Sequence, residues 1–277
     1  MSEVTLLENT NINLEIPFHV EDFKKPVSDL LSGISSKLDL DLPDSSIVIQ
    51  KMKILSENEY KKTASETTDN LIFNSPHERS IGITVLNNFA LINQDRAAKI
   101  AAEENTTQQE ILKLAITHEA IHLTETNDLI KNKNDLTSFL TSRYGLLLNR
   151  DDKDDLIAIG SRQLEEGAAE FIREQILAST GATVITRYPD ELKLIKELAA
   201  KIGDLPFYEA LYLPEGISLL NLALEKVYGE NMLRILISHV ATDYRKRTSV
   251  IRDQDRTDYL STQALLERRK NTATDGI

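Results

Sequence analysis

A chain of 277 residues, 41% of them hydrophobic and 27% charged, holds enough apolar material for a substantial core in one large domain or two lobes. Its formal net charge of −12 argues against a general nucleic-acid binder, because phosphate would be repelled. The absence of cysteine excludes disulfides, thiol nucleophiles and thiolate-held metal, so a transition metal would have to be bound by histidine and carboxylate.

The opening residues, "MSEVTLLENTNINLEIPF", carry acid where a Sec signal peptide carries base, and no long apolar run follows. No stretch approaches the roughly 20 apolar residues of a membrane span. The expectation is a cytosolic protein with no membrane partner, export by a route that reads no such signal aside.

In chain order, "VSDLLSGISSKL" (27–38) has helical spacing after Pro26. "SSIVIQKMKIL" (45–55) alternates and is rich in β-branched residues, which predicts a half-buried strand. "SIGITVL" (80–86) and "FALINQ" (89–94) predict two more strands, joined as a hairpin through Asn87 and Asn88. Beyond residue 95 the periodicity is helical. It runs through "DRAAKIAAEE", "TQQEILKLAITHEAIHL", "DLTSFLTSRYGLLL" (135–148), "SRQLEEGAAEFIREQILA", "DELKLIKELAAKI", "EGISLLNLALEKVY" and "NMLRILISHVATDY". Strands segregated from helices predict an α+β fold. The expected division is an α+β lobe over residues 1–125 and a helical lobe over residues 126–277. The charged stretch after Tyr244 reads as a solvated helix with a frayed tail.

Thr107 and Glu110 stand three apart before an apolar run, a capping-box signature. On the helix it starts, Ile111, Ala115, His118 and His122 share one face. Two imidazoles among apolar neighbours need partners, and a divalent cation is one. His118-Glu119-Ala120-Ile121-His122 is HExxH, in which both histidines bind zinc and the glutamate is the general base. The competing reading is a pair of core histidines on an amphipathic helix.

A catalytic zinc needs a third ligand. The extended HExxHxxGxxH pattern is poorly met, because Glu125 stands where the glycine belongs and Asp128 where the histidine belongs. A second helix offers a better answer in "QLEEGAAEFI" (163–172). Glu166-Gly167-Ala168-Ala169-Glu170-Phe171 resembles the EGxAxY box of gluzincin zinc peptidases, and with HExxH the resemblance covers mainly residues 107–180. It implies a zincin-like fold, with a small N-terminal sheet and helices before a mostly helical C-terminal lobe. It also implies zinc held by His118, His122 and Glu166, with Glu119 as base and a peptide or protein as substrate. Glu170 would orient His118. Small residues at 167, 168 and 169 would let this helix approach the histidine helix. Glu165 is the competing ligand, and a solvated face is the bland reading of all three glutamates.

Two features depart from the family. The interval from His122 to Glu166 is long, and its "NKNDLTSFLTSRYGLLLNRDDKDDL" predicts an extra helix and an acidic loop. The glycine-methionine-glutamate box of aminopeptidases is missing, which favours an endopeptidase. The region "FYEALYLPEGISLLNLALEKVYGENML" is similar to the one that supplies the family's oxyanion-stabilising tyrosine. That makes Tyr212 the expected donor, with Tyr208 and His239 as rivals. "FALINQ" is the expected edge strand for an extended peptide. His19 and His77 read as surface or satisfied core residues. Two other functions compete: a zincin-fold partner-binding protein without turnover, and a helical interaction protein in which HExxH is fortuitous.

Overall fold

The computed structural model describes residues 18–68, 81–85, 89–129, 140–150, 155–178, 186, 188–248 and 266. A 3-10 turn at Val20–Phe23 leads into α1 (Lys24–Leu38), which buries Val27, Leu30, Leu31 and Ile34. The expected strand at 45–55 divides into a short helix, α2 (Ser45–Gln50), and a strand, β1 (Met52–Leu55). The reason is local: the Asp44 carboxylate accepts from the Ser46 N–H at 2.7 Å. That cap closes a helical turn which the β-branched composition does not override.

After α3 (Glu57–Thr68) come β2 (Gly82–Val85) and β3 (Phe89–Asn93), paired antiparallel as the hairpin reading expects. Asn87 and Asn88 themselves lie outside the described residues. The strand order is β1-β3-β2, with β1 parallel to β3. β3 is therefore the central strand, which corrects the expectation that "FALINQ" is the edge; among the described residues β2 occupies the edge instead. Alternation gives this sheet two buried faces. Ala90 and Ile92 join the main core, while Leu91 packs with Tyr60 and Ala64 of α3.

Next are α4 (Gln94–Glu103) and α5 (Gln108–Thr124). The capping box forms as read: the Thr107 side chain accepts from the Glu110 N–H, and the Glu110 carboxylate accepts from the Thr107 N–H. Every residue of α5 from Ile111 to Ile121 except Lys113 is buried. Such a helix is internal rather than amphipathic. It packs against β2 and β3 on one side and α6 on another.

Next comes β4 (Asn127–Leu129), and where a helix was expected over 135–148 the described residues form β5 (Leu140–Tyr144) and β6 (Leu147–Arg150), in the order β4-β5-β6. Tyr144 pairs with Leu147 across a two-residue turn whose first member, Gly145, has φ +53°. Glycine in that place makes a tight hairpin of the II′ kind. Residues 135–139 and 151–154, parts of the expected helix and acidic loop, lie outside the described residues.

Periodicity places α6 (Asp155–Ala178), α7 (Pro189–Ile202), α9 (Gly216–Tyr228) and α10 (Met232–Thr248), and a short helix without such a signal, α8 (Leu205–Tyr212), comes between α7 and α9. The expected tail after Asn271 and His77 are outside the described residues. The fold is α+β and mostly helical. A single large core cluster takes residues from α1, β3, α5 and α6 through α10. Among the described residues no helix is long and apolar enough to cross a membrane.

α6 contacts α1, α5, α7, α8 and α10. Gly167 serves a different neighbour from the one expected of it. A Cβ there would lie 2.8 Å from the Glu191 carbonyl oxygen, so its missing side chain admits α7, not the histidine helix.

Candidate metal centre

His118 and His122 lie one turn apart on α5 and point at α6. Their Nε2 atoms are 3.1 Å apart. Glu166 Oε2 stands 3.0 Å from Nε2 of His118 and 3.6 Å from Nε2 of His122. Ligand atoms bound tetrahedrally to one zinc at its usual bond lengths stand about 3.3 Å from each other. The three edges bracket that value. Two imidazole nitrogens and a carboxylate oxygen this close also favour positive charge between them, as a proton or a cation. The titration behaviour has that sign. Burial lowers the His118 pKa, but Glu166 and Glu170 overcome it and raise the group to about 9. Burial likewise opposes the outcome at Glu166, where the two histidines hold the carboxyl well below its usual range.

Each imidazole has a carboxylate at its other nitrogen. Glu170 Oε1 lies 3.2 Å from His118 Nδ1, off the line of an ideal hydrogen bond. Glu170 is fixed in turn by Arg173, whose Nη2 donates to Oε2 at 2.6 Å while Nη1 donates to the Leu114 carbonyl of α5. This buried cation therefore ties the two helices together one turn from the donors. At His122, Nδ1 is 3.0 Å from Glu125 Oε1 and 3.5 Å from Glu165 Oε1. Those three residues make a second acidic grouping. One neutral imidazole has a single lone pair, however, and cannot serve a cation on both sides. Burial, with repulsion from Glu125, pushes the Glu165 carboxyl well above its usual range, which favours a retained proton over a second cation.

Glu119 is buried between the helix and the sheet. Its Oε2 accepts from the Thr84 hydroxyl at 2.7 Å, and its Oε1 lies over Gly82. Burial raises its pKa, against the pull of both histidines.

The tyrosine expected to complete the site faces elsewhere. Tyr212 places its hydroxyl 3.4 Å from Thr124 Oγ1, on the Glu125 side of the cluster, and its backbone carbonyl accepts from Thr126. Tyr208 is buried under Lys37 in the packing of α1 on α8, with burial and Asp204 pushing its pKa up to about 12. His239 belongs to α10 and joins neither acidic grouping, and His19 is an exposed residue at the start of the 3-10 turn.

Another tyrosine, which the sequence does not single out, lies against the cluster. The Tyr188 ring stacks on His118, with centroids 5.8 Å apart and planes at 16°. Burial pushes its pKa well above the usual tyrosine range, and the Glu166 and Glu119 carboxylates push the same way. Its only sequence signal is the helix start Tyr188-Pro189, which says nothing about the neighbouring helix. Arg162, one turn before Glu166, adds a half-buried cation with Nε 3.6 Å from Glu166 Oε1.

No family model, curated protein or solved structure matches this chain.

Proposed function

We propose that this protein is a zinc-dependent endopeptidase with a zincin-like fold of the gluzincin type, acting in the cytosol on peptide or protein substrates. The observation that carries the reading is the convergence of His118 Nε2, His122 Nε2 and Glu166 Oε2 from two helices, beside a buried glutamate on the same helix turn as His118. Zinc held by these three atoms would supply Lewis acidity toward water and the scissile carbonyl.

The protein's own groups divide the remaining work. Glu119, with its pKa raised by burial, takes a proton from water and delivers it to the leaving amine. Glu125 accepts from the outer nitrogen of His122 with Glu165 beside it, and Glu170 lies against the outer nitrogen of His118, so carboxylates flank both imidazoles and restrict their rotation. The oxyanion donor assigned by resemblance to Tyr212 fits Tyr188 better, because the Tyr188 ring lies on His118 and its charge neighbours are Glu166 and Glu119. An extended substrate would pair along β2, the edge strand that touches the base.

The test is elemental analysis of protein purified without added metal, joined to cleavage of a mixed peptide pool. About one zinc per chain and cleavage abolished by Glu119→Gln, with zinc retained, support the proposal. Absence of bound metal, or a Glu119→Gln protein that cuts as the parent does, overturns it.

A further inference from the structure

The catalytic glutamate of this reading rests on two residues of the neighbouring sheet. Gly82 and Thr84 are two apart on β2 and so face the same side. They pair with Ile92 and Ala90 of β3, which are buried toward α5. Thr84 Oγ1 donates to Glu119 Oε2 at 2.7 Å. A Cβ on Gly82 would lie 2.5 Å from Glu119 Oε1 and 2.8 Å from Cγ. Any side chain at 82 would therefore occupy the place where the carboxylate lies. One residue makes room for the group and the other holds it.

We propose that Gly82 and Thr84 form a seat on β2 that positions the Glu119 carboxylate for proton transfer. The proposal rests on the hydrolase reading and adds two positioning residues to it. A glutamate has three side-chain torsions, and helix α5 by itself fixes none beyond the first. The hydroxyl of Thr84 and the open space at Gly82 fix the far end. Among the described residues β2 is also the edge of its sheet. A peptide added to that edge would be placed by the same four-residue strand that carries the seat, so the reacting carbonyl and the proton acceptor share one reference frame. Such alignment matters because small displacements of a positioned group cost large factors in rate.

The seat is tested in the full-length, zinc-loaded protein with Thr84→Val, Thr84→Ser and Gly82→Ala. Valine keeps the shape and removes the donor, serine keeps the donor, and alanine fills the space. The probe is acetohydroxamate, a metal chelator that gives up a proton on binding and needs the glutamate as acceptor; its affinity is read by calorimetry. Thr84→Val and Gly82→Ala should keep one zinc per chain and lose about tenfold or more in acetohydroxamate affinity, as for a lost hydrogen bond to a charged group. On a fluorogenic peptide kcat should fall with KM nearly unchanged, and Thr84→Ser should recover most of both losses. Wild-type affinity in Thr84→Val overturns the seat, and so do equal losses in the valine and serine variants. A wild-type protein without zinc fails the hydrolase reading first, and the seat falls with it.

Discussion

Glu165 and Glu166, neighbours in the chain, approach opposite nitrogens of a single imidazole: Glu165 Oε1 is 3.5 Å from Nδ1 of His122 and Glu166 Oε2 is 3.6 Å from Nε2. Consecutive residues on a helix point about 100° apart, so one turn of α6 can grip the ring from both sides. The two glutamates are chemically alike but have different tasks, and substitution should separate them. Glu166→Ala removes a donor atom from the triangle, and zinc should no longer be retained through dialysis against a weak chelator. Glu165→Gln leaves the triangle complete and weakens only the outer support, so zinc stays at one per chain with affinity lowered about 10- to 100-fold. Competition with a chromophoric chelator measures both. Equal losses in the two variants would contradict the division of labour.

The oxyanion donor is distinguishable in the same way. Tyr188→Phe keeps the ring stacked on His118 and removes only the hydroxyl. A lost oxyanion donor lowers kcat by about 100- to 1000-fold, and that is the effect expected here. Tyr212→Phe removes a hydroxyl that contacts Thr124, and kcat should change by less than about fivefold. Steady-state kinetics on one fluorogenic peptide decides between them. A reversed order would return the role to Tyr212.

Much of this arrangement was legible in sequence because it is local. Thr107 and Glu110 announce the start of α5, and the four-residue spacing of His118 and His122 puts both on one face. Glu166 and Glu170 were legible only through resemblance, but their spacing correctly puts both carboxylates against one imidazole. What failed was long-range or depended on a single backbone angle. In "FLTSRYGLLL" the apolar residues fit a helix as well as a hairpin, and the positive φ of Gly145 decides for the hairpin. In "SSIVIQ" the side chain of Asp44, just before the window, turns a strand-like composition into helix. β2 rather than β3 is the edge because β1 comes back parallel to β3, which no local pattern encodes. Tyr188 reaches His118 only through the packing of α7 on α6.

The titration shifts give a pH dependence with a definite sign. In metal-free protein the folded-state pKa of His118 is about 9, above its ordinary 6.5. A raised histidine pKa contributes stability fully below about pH 6.5, and that contribution is lost as pH rises through 9. His122 is shifted in the same direction. Zinc competes with protons for these nitrogens, so its apparent affinity rises over the same interval. The midpoint of thermal unfolding should therefore fall from pH 6.5 to 9 in the presence of a strong chelator. The gap between zinc-loaded and chelated protein should widen. Thermal scans across that range check both slopes, and a constant gap would show that the histidines do not hold the metal.

Gly167 links the two halves of this account. A Cβ there would sit 2.8 Å from the Glu191 carbonyl oxygen and 3.0 Å from the Glu191 Cβ, so α7 must retreat to accept even alanine. Overpacking of this kind costs about 1–3 kcal/mol, which Gly167→Ala should show as reduced stability in urea. Helix propensity works the other way, since alanine is favoured over glycine by roughly 1 kcal/mol within a helix. A net loss would thus show that the contact outweighs propensity. Tyr188 immediately precedes α7, three residues before Glu191, so the same retreat carries its ring away from His118. Gly167→Ala should then retain zinc, because His118, His122 and Glu166 belong to α5 and α6, and should lose kcat nearly as far as Tyr188→Phe does. In a double variant the two losses should fall short of adding, since both remove the same hydroxyl. Full additivity would mean that Gly167 acts on the site by another route.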